Sequence, residues 1–217
     1  MIGQRFSLVL TSRPRRVLLA MCLALVGLMS PHAHATDDKS DSATLSFDQA
    51  LRVLDQWLGM WIVVERHFDP SGNVVGETKG SEEVRPILDW HGIRRIYRSA
   101  GTSATYEAEG TFTWSEASSS FKGFWIDNQS TNGFVESQAR WDADTRTMIY
   151  ETRRAKPGGT EETYRIVERF IDDEHRQATT YRLRGKQLTK LLEVNYRRSG
   201  PCPEQQSQMR IIYDGLE

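Results

Sequence analysis

The chain of 217 residues carries 28 Lys/Arg against 29 Asp/Glu, a formal net charge of −1 at neutral pH. A balance this even excludes the strongly basic character of a nucleic-acid-binding protein, and the length suits one domain. With two cysteines, Cys22 and Cys202, no disulfide framework is available.

Residues 1–35 read as a secretory signal. Arg5, Arg13, Arg15 and Arg16 form a basic lead without one acid, an apolar run extends from Val17 to Met29, and Ala33-His34-Ala35 supplies the small-x-small cleavage pattern. The run falls short of the roughly 20 apolar residues that a membrane-spanning helix needs, so no transmembrane segment is expected in the mature chain. Arg15-Arg16 resembles a twin-arginine signal but lacks the preceding Ser/Thr, which leaves general secretion as the expected route. Cleavage after Ala35 would leave a periplasmic or secreted chain of 182 residues with net charge −5, and a nucleic-acid partner is not expected. Cys22 would leave with the signal. Cys202 would stay as a single exposed thiol in a polar tail, expected to be an incidental free thiol, with pairing to another chain as the alternative.

Residues 36–45 are polar and charged, a disordered lead-in. Ser46 is placed to cap a short helix through Leu58, with Leu51, Leu54 and Leu58 at helical spacing. From Gly59 onward, β-branched and aromatic residues alternate with polar ones and are interrupted about every ten residues by turn formers. The pattern predicts ten strands: Met60–Phe68, Val74–Leu88, Ile93–Ser99, Ala104–Ser115, Phe121–Asp127, Phe134–Asp142, Thr147–Arg154, Glu162–Ile171, Gln177–Arg184 and Leu188–Arg197. Gly76 and Gly80 are expected to bend the second of them. The connections are too short for parallel crossovers, so neighbouring strands pair antiparallel. With hardly a helix to cover an apolar face, the sheet is best satisfied by closing on itself as an up-and-down barrel. A two-sheet sandwich is the alternative that the same alternation would serve. The domain is expected to span 46–198, followed by a tail at 199–217.

Leu58-Gly59-Met60-Trp61 opens the first strand, and its Gly-x-Trp resembles the lipocalin and calycin signature. That resemblance implies a Trp61 plug at one end of the barrel, with Gly59 and an arginine of the last strand, Arg197 or Arg198, as its structural partners. A guanidinium over an indole is worth roughly 0.5–2 kcal/mol. A longer pattern runs through Asp69-Pro70-x-Gly72, Gly80, Arg85, Arg94, Tyr97 and Phe124-Trp125-Ile126-Asp127. Over Leu58 to Arg198 it is similar to the secreted bacterial family of domain of unknown function 1579, a resemblance that implies a fold and no activity. The nitrobindin-like haem barrels share the Gly-x-Trp but bind haem through a late-strand histidine. The matching stretch here, Leu191 to Tyr196, has none.

Little of the chain points to catalysis. There is no Gly-x-Ser-x-Gly, no phosphate-cradling loop, and His67, His91 and His175 stand apart in sequence, so neither a cofactor nor a metal is expected. Polar residues in phase with apolar ones carry more information. Val63 and Glu65 share the face of Trp61, and Ile166 and Glu168 share a face of a later strand. Glu65 and Glu168 would line a cavity, with Arg95 as partner, unless a local twist turns them outward. Tyr97, Trp125, Tyr181 and Tyr196 would supply aromatic walls. The leading expectation is therefore a small, largely apolar molecule bound by Trp61, Val63, Glu65, Tyr97, Trp125, Ile166, Glu168, Tyr181 and Tyr196. The alternatives are a hydrolase or isomerase using Glu65 or Glu168 as general base, and an envelope interaction protein without ligand.

Overall fold

The computed structural model describes residues 45–100, 104–129, 133–155 and 160–205. The expected signal at 1–35, the lead-in up to residue 44 and the tail beyond 205 lie outside the described residues. Leu45, assigned to the lead-in by composition, packs against the core.

Helix α1 (Phe47–Asp55) starts at a capping box. The Gln49 backbone N–H donates to Ser46 Oγ at 3.3 Å, and the Ser46 N–H donates to Gln49 Oε1 at 2.8 Å, so two otherwise orphaned donors are satisfied. Ala50, Val53 and Leu54 form its buried face. Regular helix ends three residues before the expected Leu58, and the next turn buries Trp57 and Leu58 completely.

Ten strands follow: β1 (Gly59–Phe68), β2 (Val74–Ile87), β3 (Gly92–Ala100), β4 (Thr105–Ser115) and β5 (Ser120–Asp127). The second half comprises β6 (Phe134–Asp142), β7 (Thr147–Ala155), β8 (Glu161–Phe170), β9 (His175–Arg184) and β10 (Gln187–Gly200). Each pairs antiparallel with its sequence neighbours, and β1 pairs with β10 to close the barrel. Closure leaves no sheet edge unpaired, which excludes the sandwich. Alternation along β1 sends Trp61, Val63 and Glu65 inward and leaves Ile62 exposed.

Two glycines of β2 do different work. The register slips between His67 and Phe68, opposite Gly76 and Val74. At Gly80 a Cβ would collide with the Arg98 carbonyl of β3, so only glycine lets the two backbones approach this closely. β10 runs three residues past the expected end at Arg197, and the chain that follows folds back on the barrel, where Glu204 lies 3.7 Å from Arg85 on β2. Cys202 is consequently buried, not exposed as a polar tail would make it. Its backbone N–H donates to Gln205 Oε1 at 3.0 Å, and burial pushes its thiol up from the ordinary value.

Candidate functional site

The end of the barrel nearest α1 is filled. Trp61 is 1% exposed and donates its Nε1–H to the Trp57 carbonyl at 2.8 Å. The Arg198 guanidinium lies 4.2 Å from the Trp61 ring centre, so of the two arginines considered it is Arg198 that takes the plug-partner position. It also donates to the backbone carbonyls of Leu58, of Gln56 at 3.1 Å and of Asp173 at 2.7 Å, tying the helix turn to the last strand. Gly59, at φ +128°, lies so close to Arg198 that a side chain there would displace the guanidinium. Trp57 meets Phe170 edge-on at 4.5 Å, which completes the packing of this end.

Four charged side chains lie above this plug, all nearly inaccessible to solvent: Glu82 of β2, Arg95 of β3, Glu168 of β8 and Arg176 of β9. Arg176 bridges Glu82 and Glu168 and stacks over Tyr196 at 3.7 Å and Trp61 at 4.6 Å. Arg95 donates to Glu82 at 2.7 Å and to Glu168 at 3.3 Å. Two carboxylates and two guanidiniums thus cancel. Burial opposes the charge on Arg95, yet Glu168 beside it holds its affinity for a proton above the ordinary arginine value. Burial draws Arg176 down to about 9, so it too remains a cation at neutral pH.

Glu168 receives four donors, from Trp57 Nε1 at 3.0 Å, Tyr150 Oη at 2.9 Å, Arg95 and Arg176. Four donors occupy the roughly four lone-pair sites of a carboxylate. Glu168 is therefore spent on holding the layer together and has none left to take a substrate proton, which removes it from the two acids considered as a general base.

Beyond this layer the barrel encloses a cavity of about 680 Å³. Glu65, Tyr97, Trp125, Ile166, Glu168 and Tyr196 all reach its wall, so six of the side chains named from sequence converge there. Three do not. Trp61 and Val63 face inward but are consumed by the packed end. Tyr181 is half-buried outside the wall: Ala178 and Thr180 are the residues of β9 that line the cavity, and alternation puts Tyr181 on the other face.

Glu65 is 6% exposed and lies in this wall. The Tyr97 hydroxyl donates to it at 2.5 Å, and the Thr78 hydroxyl donates to its other oxygen. Burial raises Tyr97 and Tyr150 well above the ordinary tyrosine value and Tyr196 to about 12, so these phenols stay protonated and act as donors at neutral pH. Tyr97 stands 6.0 Å from Tyr106 and 6.2 Å from Trp125, ring centre to ring centre, both edge-on, and Trp125 Nε1 donates to the Tyr106 hydroxyl at 3.1 Å. Thr152 Oγ1 is buried in the wall with no hydrogen-bond partner among the described residues.

Sequence reasoning passed over Glu82 and Arg176 because isolated charges read as solvated surface. The in-phase signal that raised Glu65 and Glu168 applies equally to Arg176, which alternates with Ala178 and Thr180, and would have been the means of finding it. No group of three or more His, Cys, Asp or Glu is placed to hold a metal ion among the described residues.

A closed antiparallel barrel of ten strands, plugged by Trp61 and Arg198 at one end and hollow above, defines a lipocalin-like barrel. The chain belongs to the family described as protein of unknown function (DUF1579), whose model matches residues 48–198. No curated protein sequence matches the chain. Among solved structures, Rv2717c from M. tuberculosis is similar at 11% identity with a TM-score of 0.52, covering 69% of this chain and 97% of that one. The S-type phycobiliprotein lyase CPES from Guillardia theta is similar at 9% identity with a TM-score of 0.48, covering 68% of this chain and 91% of that one. At such identities the likeness extends to the fold alone.

Proposed function

We propose that this barrel binds a small, largely apolar organic molecule in its interior and does so outside the cytoplasm. The observation that carries the reading is the cavity itself: about 680 Å³ in the barrel interior, within the usual range of roughly 300–1,000 Å³ for a small-molecule site. Its walls combine apolar surface from Phe112, Trp125, Val135 and Ile166 with a few convergent polar groups, Glu65, Arg95 and the unpaired Thr152 hydroxyl. That composition fits a ligand gripped by area and oriented by a few hydrogen bonds.

Titration with a library of aromatic and aliphatic metabolites tests it. Trp125 lines the cavity, so its fluorescence should shift on binding. A ligand at a hundred times its Kd should stabilise the folded form by about 2.7 kcal/mol, read as a higher unfolding midpoint. A library that moves neither signal would refute the reading. For export, N-terminal sequencing of fractionated cells should find Thr36 first in the periplasm or medium; a cytosolic chain retaining Met1 would refute that part.

A further inference from the structure

We infer that the molecule bound here carries a positively charged nitrogen and that Glu65 receives it. The inference rests on the cavity-binding reading above and adds the sign of the ligand's charge.

Glu82, Glu168, Arg95 and Arg176 balance one another, as their contacts show. Glu65 stands outside that set. Two hydroxyls, those of Tyr97 and Thr78, donate to it and bring no charge. The nearest group that can become cationic is His67, whose Nε2 lies 3.6 Å away on a side chain 45% exposed. No lysine or arginine nitrogen lies within ion-pair distance of Glu65 among the described residues. The other arginines of the inner face, Arg154 and Arg182, do not reach Glu65 among the described residues. Arg154, on β7 across the barrel, stacks over Tyr164 at 5.5 Å, and Arg182 lies 3.9 Å from Glu162.

A carboxylate only 6% exposed, with no lysine or arginine partner among the described residues, is costly, and a cation brought by the ligand would supply the missing charge. Two of its roughly four lone-pair sites remain for that donor. The Tyr97 ring beside it suits a cation as well, and Tyr106 at 6.0 Å and Trp125 at 6.2 Å from that ring extend the same aromatic wall. Apolar residues fill out the rest, including Phe112, Val135, Ile166, Leu192 and Val194. The chemical class is then an amphipathic amine: an ammonium head at Glu65 and an aromatic or aliphatic body in the cavity.

The test uses the full-length chain and three probes with one skeleton, 2-(1-naphthyl)ethylamine, 2-(1-naphthyl)ethanol and 3-(1-naphthyl)propionate, compared by calorimetry at neutral pH. The amine should bind at least tenfold more tightly than the alcohol, and the propionate most weakly, because a charge-assisted hydrogen bond is roughly twice as strong as a neutral one. Glu65→Gln should bring the amine and the alcohol to near-equal affinity. Glu109→Gln, on the outer face beside Arg94, should leave the tenfold preference intact. If the alcohol or the propionate binds the native chain as tightly as the amine, the inference is wrong although the cavity still binds ligands. If Glu109→Gln erases the preference as fully as Glu65→Gln, overall charge is responsible and the inference is again wrong. If no probe binds, it falls together with the binding reading. The comparison of probes on the native chain decides the matter even if Glu65→Gln does not fold.

Discussion

Replacing Arg176 with methionine should be among the most damaging single changes in this protein. The guanidinium is completely buried, bridges Glu82 and Glu168, and stacks on Trp61 and Tyr196. Methionine keeps the aliphatic stem but lacks the terminal guanidinium, so the main consequence is electrostatic. After the change, two buried carboxylates share the single charge of Arg95. Removing one partner from a buried ionic set costs about 3–5 kcal/mol, a large part of the 5–15 kcal/mol that holds a typical domain folded. The same accounting predicts compensation. In the double variant Arg176→Met/Glu82→Gln, Arg95 and Glu168 remain as one balanced pair, so the loss should be at least about 1.5 kcal/mol smaller than the sum of the two single losses. Urea unfolding followed by tryptophan fluorescence measures all four proteins, and an unchanged slope confirms that the same transition is being compared. An Arg176→Met loss below about 1 kcal/mol, or strict additivity in the double variant, would show that charge balance is not what holds this layer.

Trp61→Ala should destabilise by about 3–5 kcal/mol, the usual cost of truncating a fully buried aromatic, and a loss below about 1 kcal/mol in the same assay would remove Trp61 from the role of plug. Alkaline pH should unfold the protein. Burial raises Tyr97, Tyr150 and Tyr196 in the folded state, so below about pH 10 both states are protonated and nothing is lost, whereas above it the unfolded chain sheds protons first. Stability should then fall by up to about 1.4 kcal/mol per pH unit per tyrosine, through about pH 12 for Tyr196 and beyond for the others, and a stability curve flat from pH 9 to 12 would contradict it. Cys202, buried and with its thiol pushed up, should resist alkylation in the folded state, as peptide-resolved mass spectrometry can follow separately from Cys22; rapid stoichiometric labelling would contradict this burial.

The ten strands were legible because inward apolar and outward polar residues alternate over most of their length. Phe134–Asp142 has identical limits in sequence and structure, and no other strand boundary moves by more than three residues. The plug was legible through the Gly-x-Trp at Gly59 and Trp61, and the resemblance pointed to the right end of β10. The cavity wall was less so. Along Thr179-Thr180-Tyr181-Arg182 both faces of β9 carry polar groups, so alternation has no sign there, and the larger residue looked like the inward one. Glu82 and Arg176 stand 94 residues apart and meet across strands that are not neighbours in the sheet. Arg176 shares the phase of Ala178 and Thr180, but the partner that permits its burial is not local, because what permits the burial of each is the other.

The ionic layer also explains why the cavity stays open. A ten-stranded barrel has more interior than core side chains need fill, and an apolar interior would tend to repack around the excess. Here Trp57, Trp61 and Phe170 fill the end beside α1, and Glu82, Arg95, Glu168 and Arg176 form a level above them that cannot slide upward without breaking contacts among buried charges. Tyr150 and Tyr196 are held against that level, Tyr150 by its bond to Glu168 and Tyr196 by the Arg176 guanidinium over its ring. The rings that face the cavity are thus fixed from below by hydrogen bonds and charge, not by filling the space above. A floor set in this way does not depend on a ligand to hold it, so a ligand of the kind proposed would meet walls already ordered and would lose less of its binding energy to arranging them.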